Sequence, residues 1–190
     1  VLYRSNAQSR AIEEALLRVS IPYRIYGGLR FYERLEIKNA IAYLKVVFNN
    51  NDNPSFERSI SNPTRGVGEK TLAKIRNTAK QFNLSYIKAS AKLVDEGSIG
   101  GRGGAGLKDY LEFIAGCKSF IEENLLSELM ELIIKETGLY AYHAKEPGEK
   151  GKTRTENLEE LITATKNFEQ SVSEDKSNLE IAESYLDIIS

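Results

Sequence analysis

The sequence predicts a mainly α-helical chain with a short strand-helix-strand fragment of an α/β domain at its N-terminal end. Three observations predict it. From about residue 29 onward, apolar residues recur at spacings of three and four, the period of a helix with one buried face. Two-residue alternation is missing from that body, and only Val1-Leu2-Tyr3-Arg4 and Ile21-Pro22-Tyr23-Arg24-Ile25-Tyr26 read as strands. The 190 residues are 41% hydrophobic and 28% charged, enough apolar material for a packed core and too much for a disordered chain.

Between the two strands, Ser5 and Asn6 precede Ala7, Ala11, Ala15, Leu16 and Val19 at helical spacing, and Pro22 ends that helix. Gly27-Gly28 then breaks the second strand. Two strands make a poor sheet by themselves, so residues 1–28 are expected to be a fragment of one domain and residues 29–190 a second, helical one. In the latter, Ile37, Ala40, Ile41, Leu44, Val47 and Phe48 mark an amphipathic helix, with Arg34, Lys38 and Lys45 on the opposite face. The run Asn49-Asn50-Asn51-Asp52-Asn53 terminates it, and Asn53-Pro54 suits an N-cap followed by proline in the first turn. Further helices are expected at about 54–60, 69–81, 84–95, 104–122, 125–136, 154–169 and 178–189. The glycine cluster at 97–106 reads as a mobile loop, and Glu146-Pro147-Gly148-Glu149-Lys150-Gly151-Lys152 as a second loop. The chain opens inside a strand pattern and stops at Ser190 inside an amphipathic one, so the expectation is a piece of a larger protein.

Charge and composition exclude several classes. Lys+Arg total 26 against 27 Asp+Glu, a net charge of -1, so a nucleic-acid surface has to be a local patch. Such a patch exists: over residues 64–80, Arg65, Lys70, Lys74, Arg76 and Lys80 oppose only Glu69, while the helices after residue 154 are acidic. One cysteine, Cys117, excludes an internal disulfide, and with one histidine, His143, a structural zinc site lacks ligands. No apolar run reaches the roughly 18 to 20 residues of a membrane span, and no signal peptide is recognisable. A metal-free, intracellular chain is the expectation.

The most informative stretch is Asn62-Pro63-Thr64-Arg65-Gly66-Val67-Gly68-Glu69-Lys70-Thr71-Leu72-Ala73-Lys74-Ile75. A short helix, a turn holding Gly-Val-Gly, and a helix starting near Glu69 form a helix-hairpin-helix-like arrangement. Glycine lets the backbone approach a ligand closely, so amides at the second helix's N-terminus can donate to a phosphate, with the helix dipole favouring the anion. Arg65, Lys70, Thr71 and Lys74 can then reach neighbouring phosphates, giving sequence-independent, salt-sensitive binding. An ordinary inter-helix turn with glycine at a cap fits the same pattern. For Arg34, Lys38 and Lys45, phosphate tracking and a solvated face stand equal on periodicity alone.

Three features are decoys. Gly151-Lys152-Thr153 resembles the end of a phosphate-binding loop, but Glu146 occupies the position of the first required glycine and no apolar strand precedes it. Lys150, Lys152 and Arg154 read more simply as a basic loop leading into the helix of Leu158, Leu161 and Ile162. His143 has no nucleophile partner nearby and reads as a surface or packing residue, and Cys117 as a small buried one. No catalytic residue is assigned.

Several longer strings carry a family resemblance: Leu2-Tyr3-Arg4-Ser5-Asn6-Ala7-Gln8-Ser9-Arg10, Pro22-Tyr23-Arg24-Ile25-Tyr26-Gly27-Gly28, Phe31-Tyr32-Glu33-Arg34, Glu36-Ile37-Lys38, Thr64-Arg65-Gly66-Val67-Gly68 and Glu149-Lys150-Gly151-Lys152-Thr153-Arg154. In this order they resemble the UvrD/Rep/PcrA family of superfamily 1 DNA helicases, up to about residue 168. The resemblance implies that residues 1–28 belong to a RecA-like motor subdomain, 2A, and residues 29–190 to most of the helical subdomain 2B, truncated at its end. It further implies a cytoplasmic, bacterial, nucleoid-associated parent that couples ATP hydrolysis with Mg²⁺ to 3'-to-5' movement and duplex separation in repair or replication.

In that family the corresponding Gly-Ile-Gly loop contacts duplex or junction DNA, which carries over to Thr64, Arg65, Gly66, Val67, Gly68, Lys70, Thr71 and Lys74, with Lys38 as a second-site candidate. Val67 departs from the family isoleucine. Gly27 and Gly28 are the implied hinge about which 2B turns. Motor motifs for ATP are missing from these residues, so this piece is expected to hold no cofactor and to be inactive by itself. An alternative is a protein-interaction or autoinhibitory module on which repair proteins or a second helicase copy dock.

Overall fold

Helix α2 (Leu35–Phe48) is the axis about which the chain packs. Its residues Ile37, Ala40, Ile41, Tyr43, Leu44, Val46 and Val47 are all buried, as are the polar Glu36 and Asn39, so the helix is covered on nearly every side. The computed structural model describes residues 6–22, 31–172 and 175–189. In chain order the helices are α1 (Asn6–Arg18), a 3-10 turn (Phe31–Glu33), α2, α3 (Asn53–Ser61), α4 (Glu69–Phe82), α5 (Tyr86–Asp95), α6 (Gly101–Glu123), α7 (Leu126–Glu136), α8 (Leu139–Ala144), α9 (Glu149–Ser171) and α10 (Asn178–Ile189). Helices α3, α6, α7 and α9 lie against α2.

Local chemistry sets most boundaries. Asp52 caps α3, its Oδ1 accepting from the Ser55 amide at 2.9 Å with Pro54 in the first turn. Ser85 caps α5 in the same way, and Asn83 ends α4 in the left-handed conformation (φ 52°), which asparagine tolerates better than most residues. At the centre, Phe56 meets Tyr110 edge-to-face at 5.5 Å and Tyr43 meets Phe113 at 6.4 Å. The buried hydroxyls of Ser59 and Tyr110 satisfy each other at 2.7 Å. Cys117 is buried as expected, which pushes its thiol up to about 12.

The mainly α reading holds, with four corrections. First, the glycine cluster is not a mobile loop: Gly101, Gly103, Gly104 and Gly106 lie in the first turns of α6, and at Gly103, Gly104 and Gly106 the backbone they face comes too close for an unstrained side chain. Second, α9 begins at Glu149, so Gly151, Lys152 and Thr153 are helical. Gly151 fits there because a Cβ would sit 2.3 Å from the Glu146 carbonyl oxygen and 2.8 Å from that of His143. Third, α2 is a core helix with no basic face: Arg34 is drawn inward, donating to Asn157 Oδ1 at 2.8 Å, Lys45 is half-buried, and only Lys38 is exposed. Fourth, α8, too short for periodicity to register, was not foreseen.

The strand expected at 1–4 and most of that at 21–26 lie outside the described residues. Ile21 and Pro22 are irregular, and the Ile21 amide donates to the Leu16 carbonyl at 2.9 Å as the close of α1. No strand occurs among the described residues. Helix α1 is docked on the helical body, where the Phe31 amide donates to Glu13 Oε2 at 3.1 Å and Tyr32 Oη to Glu14 Oε1 at 2.9 Å. Among the described residues no helix is long and apolar enough to cross a membrane, and no group of acids, histidines and cysteines could hold a metal ion.

Candidate nucleic-acid interface

The segment joining α3 to α4 is pinned from beneath. Tyr43 Oη, on α2, donates to the Asn62 carbonyl at 3.0 Å and accepts from Arg65 Nη2 at 2.8 Å. The same Nη2 donates to the Thr137 carbonyl at the end of α7 (3.1 Å), and the guanidinium lies 5.7 Å from the Tyr43 ring centroid. Two residues on, Val67 is buried in the apolar core. These anchors leave Thr64, Gly66 and Gly68 exposed.

The two loop glycines do different things. Gly66 has φ +75°, a left-handed conformation for which glycine is the natural residue. Gly68 is extended (φ -94°, ψ 179°) and is the N-cap of α4, its carbonyl accepting from the Thr71 and Leu72 amides at 2.9 and 3.0 Å. No side chain caps this terminus, and a Cβ built on Gly68 would meet nothing within 4 Å. The start of α4 therefore has no side-chain cap and open space where a Gly68 side chain would stand.

The start of α6 closes over the other side of the loop. A Cβ on Gly106 would lie 2.0 Å from the Arg65 carbonyl oxygen, and one on Gly103 would lie 3.0 Å from that of Gly66 and 3.6 Å from Thr71 Oγ1. Gly104 is equally tight against the Ile99 carbonyl, at 2.2 Å. Lys74 Nζ donates to the Ser98 carbonyl at 2.6 Å, tying α4 to the turn that leads into α6. Two helix N-termini thus converge on one loop.

Pairing with an acid from α3 makes the charge around the loop less positive than the count over 64–80 suggests. Glu69, the one acid of the basic stretch, is bound by Arg76 Nη1 at 2.5 Å, while Arg76 Nε holds Glu57 at 2.6 Å. The Arg76 hydrogen bond keeps the Glu57 carboxyl below its usual range. Lys70 and Lys74 are exposed beside them.

Of the residues singled out from sequence, Thr64, Gly66, Gly68, Lys70, Thr71 and Lys74 come together on this loop and the first turns of α4, whereas Arg65 and Val67 face inward as its anchors. Lys38 is exposed on α2, with no hydrogen bond or ion pair to the loop among the described residues. Gly27 and Gly28 lie outside the described residues. Sequence reasoning passed over Arg102, exposed at the start of α6. It is the one cation inside the glycine run, and that was the available signal.

The other basic stretch serves the fold. Arg154 Nη1 donates to Glu146 Oε1 at 2.5 Å, and its Nε lies 3.6 Å from Glu36 Oε2. His143 is buried, with Nδ1 2.5 Å from Glu146 Oε1. With Gly151 packed under two carbonyls inside a helix, Gly151-Lys152-Thr153 forms no loop that could wrap a phosphate.

Comparison with known proteins gives a consistent result. The UvrD-like helicase C-terminal domain family matches residues 1–96. The chain is 44% identical over 186 residues to DNA helicase II of Escherichia coli, covering 98% of this chain and 26% of that protein. It is 47% identical over 168 residues to DNA helicase II of Haemophilus influenzae, covering 88% of this chain and 23% of that one. It is 38% identical over 177 residues to the ATP-dependent DNA helicase PcrA of Bacillus subtilis, covering 93% and 24%. The chain spans about a quarter of the length of these relatives.

Proposed function

This chain belongs to the UvrD-like helicase C-terminal domain family, and from that premise we propose that it is the duplex-contacting, regulatory 2B-type region of an ATP-dependent 3'-to-5' DNA helicase of repair or replication. Residues 29–190 are assigned to 2B and residues 1–28 to the end of the adjoining motor subdomain 2A, with Gly27-Gly28 as the pivot between them. The α3-α4 connection then serves as a helix-hairpin-helix-like phosphate cradle. ATP and Mg²⁺ belong to other parts of the parent, and no step of ATP chemistry is assigned to these residues.

The observation that carries this reading is the open N-terminus of α4. Gly68 offers its carbonyl to the helix and leaves bare space where a side chain would stand, beside an uncapped helix terminus, and a terminus of that kind favours a phosphate. Thr64, Lys70, Thr71 and Lys74 surround that point. Arg65 and Val67 contribute by holding the loop in shape. Lys38 is a separate, outlying contact to the same duplex. Contacts of this kind go to the backbone, so binding is independent of sequence. With about two to four phosphates engaged, Kd falls on the order of 10⁻⁴ to 10⁻⁶ M, with a log-log salt slope of about -2 to -4.

The experiment is an anisotropy titration of a fluorescent blunt duplex by this chain and by Gly68→Asp, at low and moderate salt. Aspartate is a better N-cap than glycine, so the variant keeps α4 while placing a carboxylate where the phosphate would sit. Salt-sensitive binding that the variant loses supports the reading. Binding equal in both overturns it and shifts weight to docking of repair proteins or a second helicase copy on the acidic helices α9 and α10.

A further inference from the structure

We infer that Arg102 is a further phosphate-contacting residue of this interface, held across Gly66 so that its guanidinium grips the duplex backbone beside the phosphate at the α4 terminus. The inference rests on the duplex-binding reading above and extends it to a second element, α6.

The first turns of α6 have an unusual composition. Glycine is among the poorest helix formers, yet the first six residues of α6 are Gly101, Arg102, Gly103, Gly104, Ala105 and Gly106. Close approach accounts for three of the glycines, since Cβ atoms at 103, 104 and 106 would meet backbone oxygens of Gly66, Ile99 and Arg65 at 3.0, 2.2 and 2.0 Å. The glycine run therefore seats α6 directly on the loop of the cradle. In this bare turn Arg102 carries the one side chain longer than a methyl group.

The position of that side chain is specific. Its Cγ and Cδ lie 2.7 and 3.0 Å from where a Cβ on Gly66 would stand, so the aliphatic stem crosses the exposed, left-handed glycine of the loop. The residue is exposed, and no acidic partner holds its head group among the described residues. Arg76 on α4, by contrast, is occupied by Glu57 and Glu69. A free guanidinium is a planar fork that matches a phosphate's oxygens in two hydrogen bonds. The uncapped first turn of α6, with Gly100 as N-cap, adds donors beside it. Gly66 thus has a second function, as the bare surface over which the arginine stem lies.

Arg102→Gln separates contact from support, because glutamine keeps the Cγ and Cδ that cover Gly66 and removes the charge. Duplex titrations across a salt series with the parent chain, Arg102→Gln and Arg102→Lys read the number of phosphates engaged. The expected result is a salt slope about 1 smaller in magnitude for Arg102→Gln, roughly the share of one phosphate, with affinity at low salt reduced about 5- to 10-fold and Arg102→Lys keeping the parent slope. An arginine that only covers the glycine would leave the slope of Arg102→Gln unchanged, and that result overturns the inference. Loss of binding in Gly68→Asp with parent-like Arg102→Gln keeps the cradle and removes Arg102 from it. A reduced slope in Arg102→Gln with unimpaired Gly68→Asp supports the arginine contact and overturns the α4 cradle. No binding by the parent chain at low salt overturns both.

Discussion

Arg65 and Tyr43 form one closed arrangement: Arg65 Nη2 donates to Tyr43 Oη at 2.8 Å, and that hydroxyl donates onward to the Asn62 carbonyl at 3.0 Å. A buried tyrosine of the central helix thereby fixes the start and the middle of the loop. Burial pushes its phenol pKa up, the neighbouring arginine opposes that rise only in part, and so the hydroxyl keeps the proton it donates. Tyr43→Phe keeps the ring and removes the junction. It should cost about 1 to 3 kcal/mol, since the Asn62 carbonyl and the guanidinium each lose a partner. Urea unfolding measures this. Duplex affinity should fall with an unchanged salt slope, because the lost interaction positions the loop and touches no phosphate; a smaller slope would assign Arg65 a direct contact.

Two glycines of α6 should respond in opposite ways to alanine. At Gly106 a Cβ would lie 2.0 Å from the Arg65 carbonyl oxygen, so Gly106→Ala forces the helix off the loop and should cost on the order of 1 to 3 kcal/mol or more. Gly116 is exposed in the middle of the same helix and a Cβ there would meet nothing within 4 Å. Gly116→Ala should therefore stabilise by about 0.5 to 1 kcal/mol through helix propensity alone. Thermal melts of the pair test the close-approach account, and a neutral Gly106→Ala would refute it.

Glu146 makes stability depend on pH at the acid end. Its carboxyl is held down from the ordinary 4.5 to about 2, first by the His143 hydrogen bond and then by Arg154, against the effect of burial. The folded pKa lies below the unfolded one, so the stabilisation is complete above about 4.5 and is lost as pH falls toward about 2. Glu146→Gln should be less stable than the parent at neutral pH, with the gap closing as pH falls through that window. Unfolding midpoints at several pH values provide the check.

How much of this was legible in the sequence varies with the physics involved. Helices α3, α4, α7 and α10 announce themselves through apolar spacing, and α3 also through Pro54, although its cap is Asp52, one residue before the Asn53 that the sequence suggests. The exposed backbone of Gly66 and Gly68 follows from residue type. What composition concealed is tertiary: the glycines of α6 look like a flexible linker until the Arg65 and Gly66 carbonyls appear against them. Arg65 looks like one more cation of a basic patch until Tyr43 and Thr137 claim its guanidinium. Helix α2 reads as amphipathic because its buried Glu36 and Asn39 are polar, and only long-range partners explain why they are inside.

Those partners define the last prediction. Asn157, buried on α9, accepts from Arg34 Nη1 at 2.8 Å and donates through Nδ2 to Glu36 Oε1 at 2.5 Å. It bridges a cation and a buried anion across 121 residues of chain, with Arg154 Nε 3.6 Å from the other Glu36 oxygen. Asn157→Ala removes one partner from each charge and should cost about 3 kcal/mol, toward the upper end for a buried charge-assisted hydrogen bond. Asn157→Asp keeps an acceptor for Arg34 but replaces the donor to Glu36 with a like charge. It should be at least as damaging at pH 7, where two carboxylates in one buried site repel. Both are read as a lower urea midpoint with an unchanged m-value, because the native surface stays the same. If Asn157→Asp matched the parent, the amide would not be the group that holds Glu36 inside, and the burial of that carboxylate would rest on its other contacts, Arg154 among them.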